Sequence, residues 1–344
     1  MRRHDTAADG PDGGRPGREA TPAALRGGGA GRPRRSGRSR KGEELMVPQA
    51  EFRSYYGRPI IKAPSWAARD IAGYLFLGGL AGAGSVLAAG AHLTGRRATA
   101  TAMKVSSLAA VSLSAAALIH DLGRPGRFAH MLRVMKPTSP MSVGSWLLSG
   151  YGPAAGAAAV CAVSGRLPRA GAAATAAAAV LGPAVATYTG VLAADTAVPA
   201  WHGAYRELPY LFAASATAAA SGMALVLAPA HENAPARCAA ALAATADTAL
   251  TRAAERRLGM VAETYRTGRA GTLLRCAEAL VTGGAAVAVL GGRFRPAAVA
   301  AGAALLAGSA CTRFGVFAAG IASAEDPAYT VVPQRAALRG RTEP

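Results

Sequence analysis

The chain has 344 residues, of which 51% are hydrophobic, 6% aromatic and 17% charged, with a formal net charge of +19. An ordinary soluble domain carries about a quarter charged residues, and here many of the charges fall in the first fifty positions, so the rest of the chain cannot cover a water-facing surface. Composition excludes a simple soluble domain, and the basic excess leaves anionic lipid or nucleic acid as partners until the positions of the arginines are considered.

Residues 1–41 hold eleven Arg or Lys and four Asp or Glu among Gly, Pro, Ser and Ala, with no apolar periodicity. Such a segment cannot bury enough apolar area to order itself, and a disordered basic arm is expected over residues 1–54, near anionic headgroups. Arg2 and Arg3 are followed by no apolar stretch until residue 71, which does not fit a cleavable signal. Motifs for binding DNA or RNA are absent, so no nucleic-acid partner is expected.

From residue 71 the chain falls into apolar blocks of the length that crosses a bilayer, about 20 residues. Eight such blocks are predicted. Ile71–Leu93 has no formal charge, and Ala98–Ile119 contains only Lys104. Pro140–Gly165, Ala170–Ala194 and Leu208–Ala230 contain no Asp, Glu, Lys or Arg. The sixth, about Ala236–Ala254, contains Asp247 and Arg252, and the seventh, about Thr272–Gly292, begins with Arg275 and Glu278. The last runs from about Pro296 to Ala322 and includes Arg313. Alternating strand patterns occur nowhere. An Ala-rich soluble bundle would need a charged stripe at the helical period, and the third and fourth blocks have no charge on any face. The predicted fold is therefore all-α, a polytopic membrane protein with a domain over residues 55–335 and a short tail over 336–344. Gly78 and Gly82 form GxxxG spacing on the first span, which suits close helix packing.

Eight spans put both termini on one side of the membrane. That side receives 30 of the Arg and Lys residues, and the other side seven: Arg96, Arg97, Arg166, Arg169, Arg237, Arg293 and Arg295. The bias predicts a cytoplasmic terminal side in the cell membrane.

Ionisable groups in or beside membrane spans are expensive and are functional candidates by default. They gather toward the terminal side: Asp70 at the start of the first span, His120 and Asp121 at the end of the second, Tyr188 and Asp195 at the end of the fourth, His202 and Arg206 before the fifth, and Arg313 near the end of the eighth. Asp70 and Tyr74 are spaced i, i+4 and share a helix face. His120 beside Asp121 has the composition of a proton relay. A pocket on one membrane face follows from helix parity alone. His92, His130, His202 and His231 supply no mid-membrane pair with His120, so haem b is not expected. Cys161, Cys238, Cys276 and Cys311 are widely spaced in apolar surroundings, with no CxxC pair, so buried small hydrophobes are expected and neither zinc nor an iron–sulfur cluster.

Four segments resemble a known family: YLFLGGLAGAG (Tyr74 to Gly84), DLGRPGRF (Asp121 to Phe128) with KPTSPMSVGSW (Lys136 to Trp146), YTGVLAADTAVPAWH (Tyr188 to His202) and LPYLFAASA (Leu208 to Ala216). Together they are similar to the NrfD-like membrane subunits of polysulfide reductase and related molybdopterin oxidoreductases, over about residues 55–335; the closing stretch TRFGVFAAGIASAEDPAYTVVPQR adds to the likeness. The resemblance implies eight helices in two four-helix bundles, with no haem or iron–sulfur cluster in this chain. It implies binding of menaquinone or another quinone near one membrane face, as in anaerobic respiration. Electrons would pass between the quinone pool and a four-cluster ferredoxin-like iron–sulfur subunit, beyond which lies a molybdenum or tungsten catalytic subunit. The chain itself would be the quinone-reactive anchor and not the substrate-reducing subunit. The implied quinone contacts fall on Asp70, Tyr74, His120, Asp121, Tyr188 and His202, and Arg124, Arg127 and Lys136 would dock the iron–sulfur partner. A transporter or proton-translocating protein on a similar scaffold is the alternative reading.

Overall fold

A computed structural model describes residues 60, 61, 64, 68–121 and 126–342. The expected basic arm, Arg124 and the Arg127 side chain lie outside the described residues. Among the described residues every regular element is a helix.

Four long helices open the described chain. α1 (Ala68–Leu93) and α2 (Arg97–Asp121) form an antiparallel hairpin. Its turn is closed by Gly95 at φ +74°, a left-handed conformation that glycine adopts without steric cost. The short α3 (Gly126–Met131) leads to α4 (Pro140–Ser164) and α5 (Pro168–Ala194), each with proline in its first turn, where the missing N–H removes no helical bond. A five-residue helix, α6 (Pro199–Gly203), precedes α7 (Leu208–Leu227) and α8 (Ala234–Leu258). A 3-10 turn and α9 (Glu263–Arg266) connect α8 to α10 (Gly268–Gly291), which is followed by α11 (Arg295–Glu325) and α12 (Ala328–Thr342). α12 crosses the boundary expected at residue 335.

Among the described residues, seven helices are long and apolar enough to cross a membrane: α1, α2, α4, α5, α7, α10 and α11. The sixth predicted span, α8, is helical but falls outside this set, because Arg237, Asp247, Arg252, Glu255, Arg256 and Arg257 interrupt its apolar surface. α1 packs on α2, α5, α7 and α11, α4 packs on α5, and α11 packs on α7 and α10. The outward surface is apolar in the manner of a lipid-facing one: Val163, Val180 and Leu290 are 68%, 77% and 86% exposed.

Close backbone approach is the packing device, as expected where lipid is as apolar as the helix faces. Gly82 of α1 and Gly182 of α5 face each other so closely that a β-carbon on either would strike the carbonyl oxygen of the other. Gly222 of α7 and Gly302 of α11 repeat the arrangement. Gly78, the partner of Gly82 in the sequence pattern, instead sits 3.3 Å, measured from an added β-carbon, from Ser114 Oγ of α2. The cysteines depart from expectation. Cys238 and Cys276 are exposed and Cys161 and Cys311 half-buried, because the apolar surroundings read from the sequence belong to outward helix faces and not to a protein core.

Candidate functional site

Antiparallel pairing of α1 with α2 brings the start of one against the end of the other, and Asp70 Oδ2 meets His120 Nδ1 at 3.1 Å. A carboxylate in a first helical turn and an imidazole in a last turn are each favourably placed on the helix dipole. His120 is 78% exposed, so this pair lies at the protein surface.

Directly beside it is a cavity of about 160 Å³. Ile71, Tyr74 and Leu75 of α1, and Leu118 and Asp121 of α2, form one wall. Met141, Gly144, Ser145 and Leu148 of α4 and Tyr188, Thr189, Leu192 and Ala193 of α5 form the opposite one. Trp201 of α6, Phe212 of α7 and Val316 and Phe317 of α11 close the inner end. Of the six expected quinone contacts, Tyr74, Asp121 and Tyr188 line this cavity. Asp70 and His120 are at its margin, and His202 faces another groove.

Tyr188 is the notable group. Its ring occupies the space that a β-carbon at residue 144 would take, so Gly144 is required for the ring to lie where it does. Its Oη is buried and has no hydrogen-bond partner among the described residues. A buried hydroxyl without a partner is costly, and this one belongs to a residue that lines the cavity.

Trp201 is fixed from three sides. Nε1 donates to the Val316 carbonyl at 2.8 Å, the ring fills a notch above Gly320 where no side chain could fit, and Phe317 packs on it with centroids 5.6 Å apart. The short α6 that carries it is stapled by two further bonds: Ala200 N–H donates to Ser323 Oγ at 3.1 Å, and Tyr265 Oη donates to Ala200 O at 3.2 Å. Burial raises the Tyr265 phenol above its ordinary range, which keeps it a donor.

Arg313 does not reach the cavity, although its sequence position suggests it. It is fully buried, donates Nη2 to Phe212 O at 2.5 Å and lies 3.8 Å over the Phe212 ring, so it supports a cavity residue from behind. Lys136 is exposed on the loop before α4, where its backbone N–H donates to Ser142 Oγ.

Residues 64–234 match the family model described as polysulphide reductase, NrfD. The chain belongs to the NrfD family over this segment. No curated protein gives a significant match. All six expected quinone contacts fall within the NrfD segment, as do Trp201 and Phe212, while Val316 and Phe317 lie beyond it. The NrfD protein is thus a multi-pass helical membrane protein whose family segment ends at the start of α8.

A second cavity, about 220 Å³ and polar, lies among α8, α9, α10 and α11. Arg252 pairs with Glu278 at 3.1 Å and Arg266 with Glu255 at 2.7 Å on its walls. Asp247 lines it, with Oδ1 buried and unpartnered, and Arg313 behind it has Nε and Nη1 unpartnered. Among the described residues no three His, Cys, Asp or Glu side chains converge as a metal site.

Proposed function

We propose that this NrfD protein is the quinone-binding membrane subunit of an oxidoreductase complex, passing electrons between the quinone pool and an iron–sulfur subunit joined to a molybdopterin catalytic subunit. On this reading α8 is the eighth span, α1, α2, α4 and α5 form one four-helix bundle, and α7, α8, α10 and α11 form the other. Both termini lie on the cytoplasmic side. The observation that carries the reading is a largely apolar cavity lined by Tyr74, Asp121 and Tyr188, the last with a buried, partnerless Oη. An apolar cleft with a few placed polar groups is the usual form of a small-molecule site.

The residues fit a quinone. Leu75, Leu148, Trp201, Phe212 and Phe317 supply apolar and aromatic surface for a flat ring, and Tyr188 offers a hydrogen bond to one ring oxygen. Asp121 lines the cavity with a carboxylate that can exchange protons, and the Asp70–His120 pair at the surface can pass them to water. A bound quinone would supply two-electron, two-proton chemistry; the chain holds its ring, keeps water out and positions proton donors. The exposed Lys136, with Arg124 and Arg127, would meet the iron–sulfur partner.

The test is equilibrium binding of a quinone analogue to the purified protein. Tyr188→Phe should weaken binding by roughly five- to tenfold, the value of one neutral hydrogen bond, with unchanged assembly. Unchanged affinity would remove Tyr188 from the site.

A transporter or proton-translocating protein is the second reading, favoured by the buried Asp247 Oδ1 and Arg313 Nε and Nη1, which have no hydrogen-bond partner among the described residues, at and behind the second cavity. Under it, Asp247→Asn would abolish transport, and quinone analogues would not bind.

A further inference from the structure

An arginine inside a membrane helix is costly and is a functional candidate by default. Arg313 of α11 is fully buried. Its Nη2 donates to the Phe212 carbonyl, while Nε and Nη1 are buried with no hydrogen-bond partner among the described residues. Space for the guanidinium is left by α1, where a β-carbon on Gly79 would lie 3.0 Å from Nη2. Among the described residues no carboxylate forms an ion pair with it. Asp247 of α8 is close enough to feel its charge, yet Asp247 lines the second cavity and not the one lined by Tyr188. The guanidinium instead covers the Phe212 ring, 3.8 Å from its centroid. Phe212 lines the inner cavity, as do Val316 and Phe317 on the next turn of α11. Phe212 thus touches both a fixed positive charge and the space assigned to the quinone.

We infer that Arg313 makes the inner cavity prefer a negatively charged ring over a neutral one, acting through Phe212 without touching the ligand. The inference rests on the quinone reading of that cavity. Quinone and quinol are both neutral, but forms with more electrons than protons added carry negative charge, and a preorganised positive charge favours those forms. A guanidinium suits the task, because it keeps its charge when buried and stacks on an aromatic face. Asp247 does not cancel it. The acid borders the second cavity and the guanidinium touches a wall residue of the first, so the positive end of the pair is nearer the ring. Asp121, which also lines the inner cavity, is the last residue of α2, away from the inner end that Phe212 and Phe317 close. At roughly 8 Å, one ring beyond the contact, and an effective dielectric of about 20, attraction between two unit charges changes an equilibrium by about thirtyfold.

Equilibrium binding to the full chain in lipid nanodiscs, at about pH 8 where carboxylates are ionised, tests this with two probes of matched ring size. One is a naphthoquinone with a hydroxyl on the quinone ring, which is an anion at that pH; the other has a methyl group at the same position and is neutral. Arg313→Gln should bind the anion at least about tenfold more weakly than wild type and the neutral ring within about twofold. Arg313→Lys, which keeps the charge, should bind the anion within about threefold of wild type. Asp247→Asn removes the opposing charge and leaves the Phe212 contact in place, so it should tighten the anion by about threefold or more and leave the neutral ring unchanged. That variant keeps the inference open to test if Arg313→Gln does not fold. Equal loss of both probes in Arg313→Gln would overturn the inference, because Arg313 would then act only by holding Phe212 in place. Wild-type affinity for the anion in Arg313→Gln or in Asp247→Asn would also overturn it, as would equal losses of the anion in the lysine and glutamine variants. A wild-type protein that binds neither probe would overturn the quinone reading itself.

Discussion

Tyr188 carries a hydroxyl that is buried without a partner, and such a group destabilises the ligand-free fold by about 1–3 kcal/mol. Tyr188→Phe should therefore raise the melting temperature of the ligand-free protein while weakening quinone binding. A variant less stable than wild type would show that the hydroxyl has a structural partner. Gly144→Ala should have the opposite effect on stability. Its β-carbon would strike the Tyr188 ring, and forced repacking at such a contact costs about 1–3 kcal/mol, visible as a lowered melting point together with weaker quinone binding. Tyr74, Asp121 and Tyr188, which line the cavity, were legible as candidates because a phenol or carboxylate near a span end stands out in an apolar sequence. Trp201, Phe212, Val316 and Phe317 were not, since aromatic and aliphatic side chains in a membrane helix look alike whether they face lipid, a neighbouring helix or a cavity.

Between helices, short-range geometry decides stability. Gly82→Ala or Gly182→Ala would drive a methyl group against a backbone carbonyl that has no rotamer to yield. Either should lower stability by about 1–3 kcal/mol, measured by thermal melting in detergent; neutrality would mean that α1 and α5 are not in backbone contact. At the other end of the hairpin, Glu232 Oε2 accepts from both Thr99 N and Thr99 Oγ1 at 2.8 Å, capping the first turn of α2. These bonds hold the Glu232 carboxyl below its ordinary range. Its contribution is complete above the unfolded-state carboxylate range and is lost as the pH falls through the lowered folded value. The melting point should thus fall on acidification, and Glu232→Gln should flatten that slope; an identical slope in the variant would remove Glu232 as a cause. The apolar blocks located these elements well, since a span of that length has one favourable conformation in lipid. α8 was harder to read because its charges lie among alanines, which support a helix in water as readily as in a membrane.

At the scale of the molecule, the seven apolar helices among the described residues and the exposed valines and leucines suit lipid as the solvent for the outward surface. The parity argument from the sequence required Asp70 and Asp121 to share a membrane face. The Asp70–His120 contact, with Asp121 adjacent, puts these groups at one end of the α1–α2 hairpin. The second cavity, with Asp247 and Arg313, was less visible in advance, because single charges in weak spans signal neither pairing nor depth. Two of the cavities thus differ in lining, one largely apolar and lined by Tyr188, the other ringed by charged side chains among α8, α10 and α11, and the functional reading assigns the quinone to the first. Photolabelling with an azido-quinone, followed by peptide mapping, tests that assignment most directly. The account predicts labels on peptides containing Gly144, Tyr188, Trp201 or Phe317, competed away by unlabelled quinone; competed labels around Asp247 and Thr312 instead would contradict it.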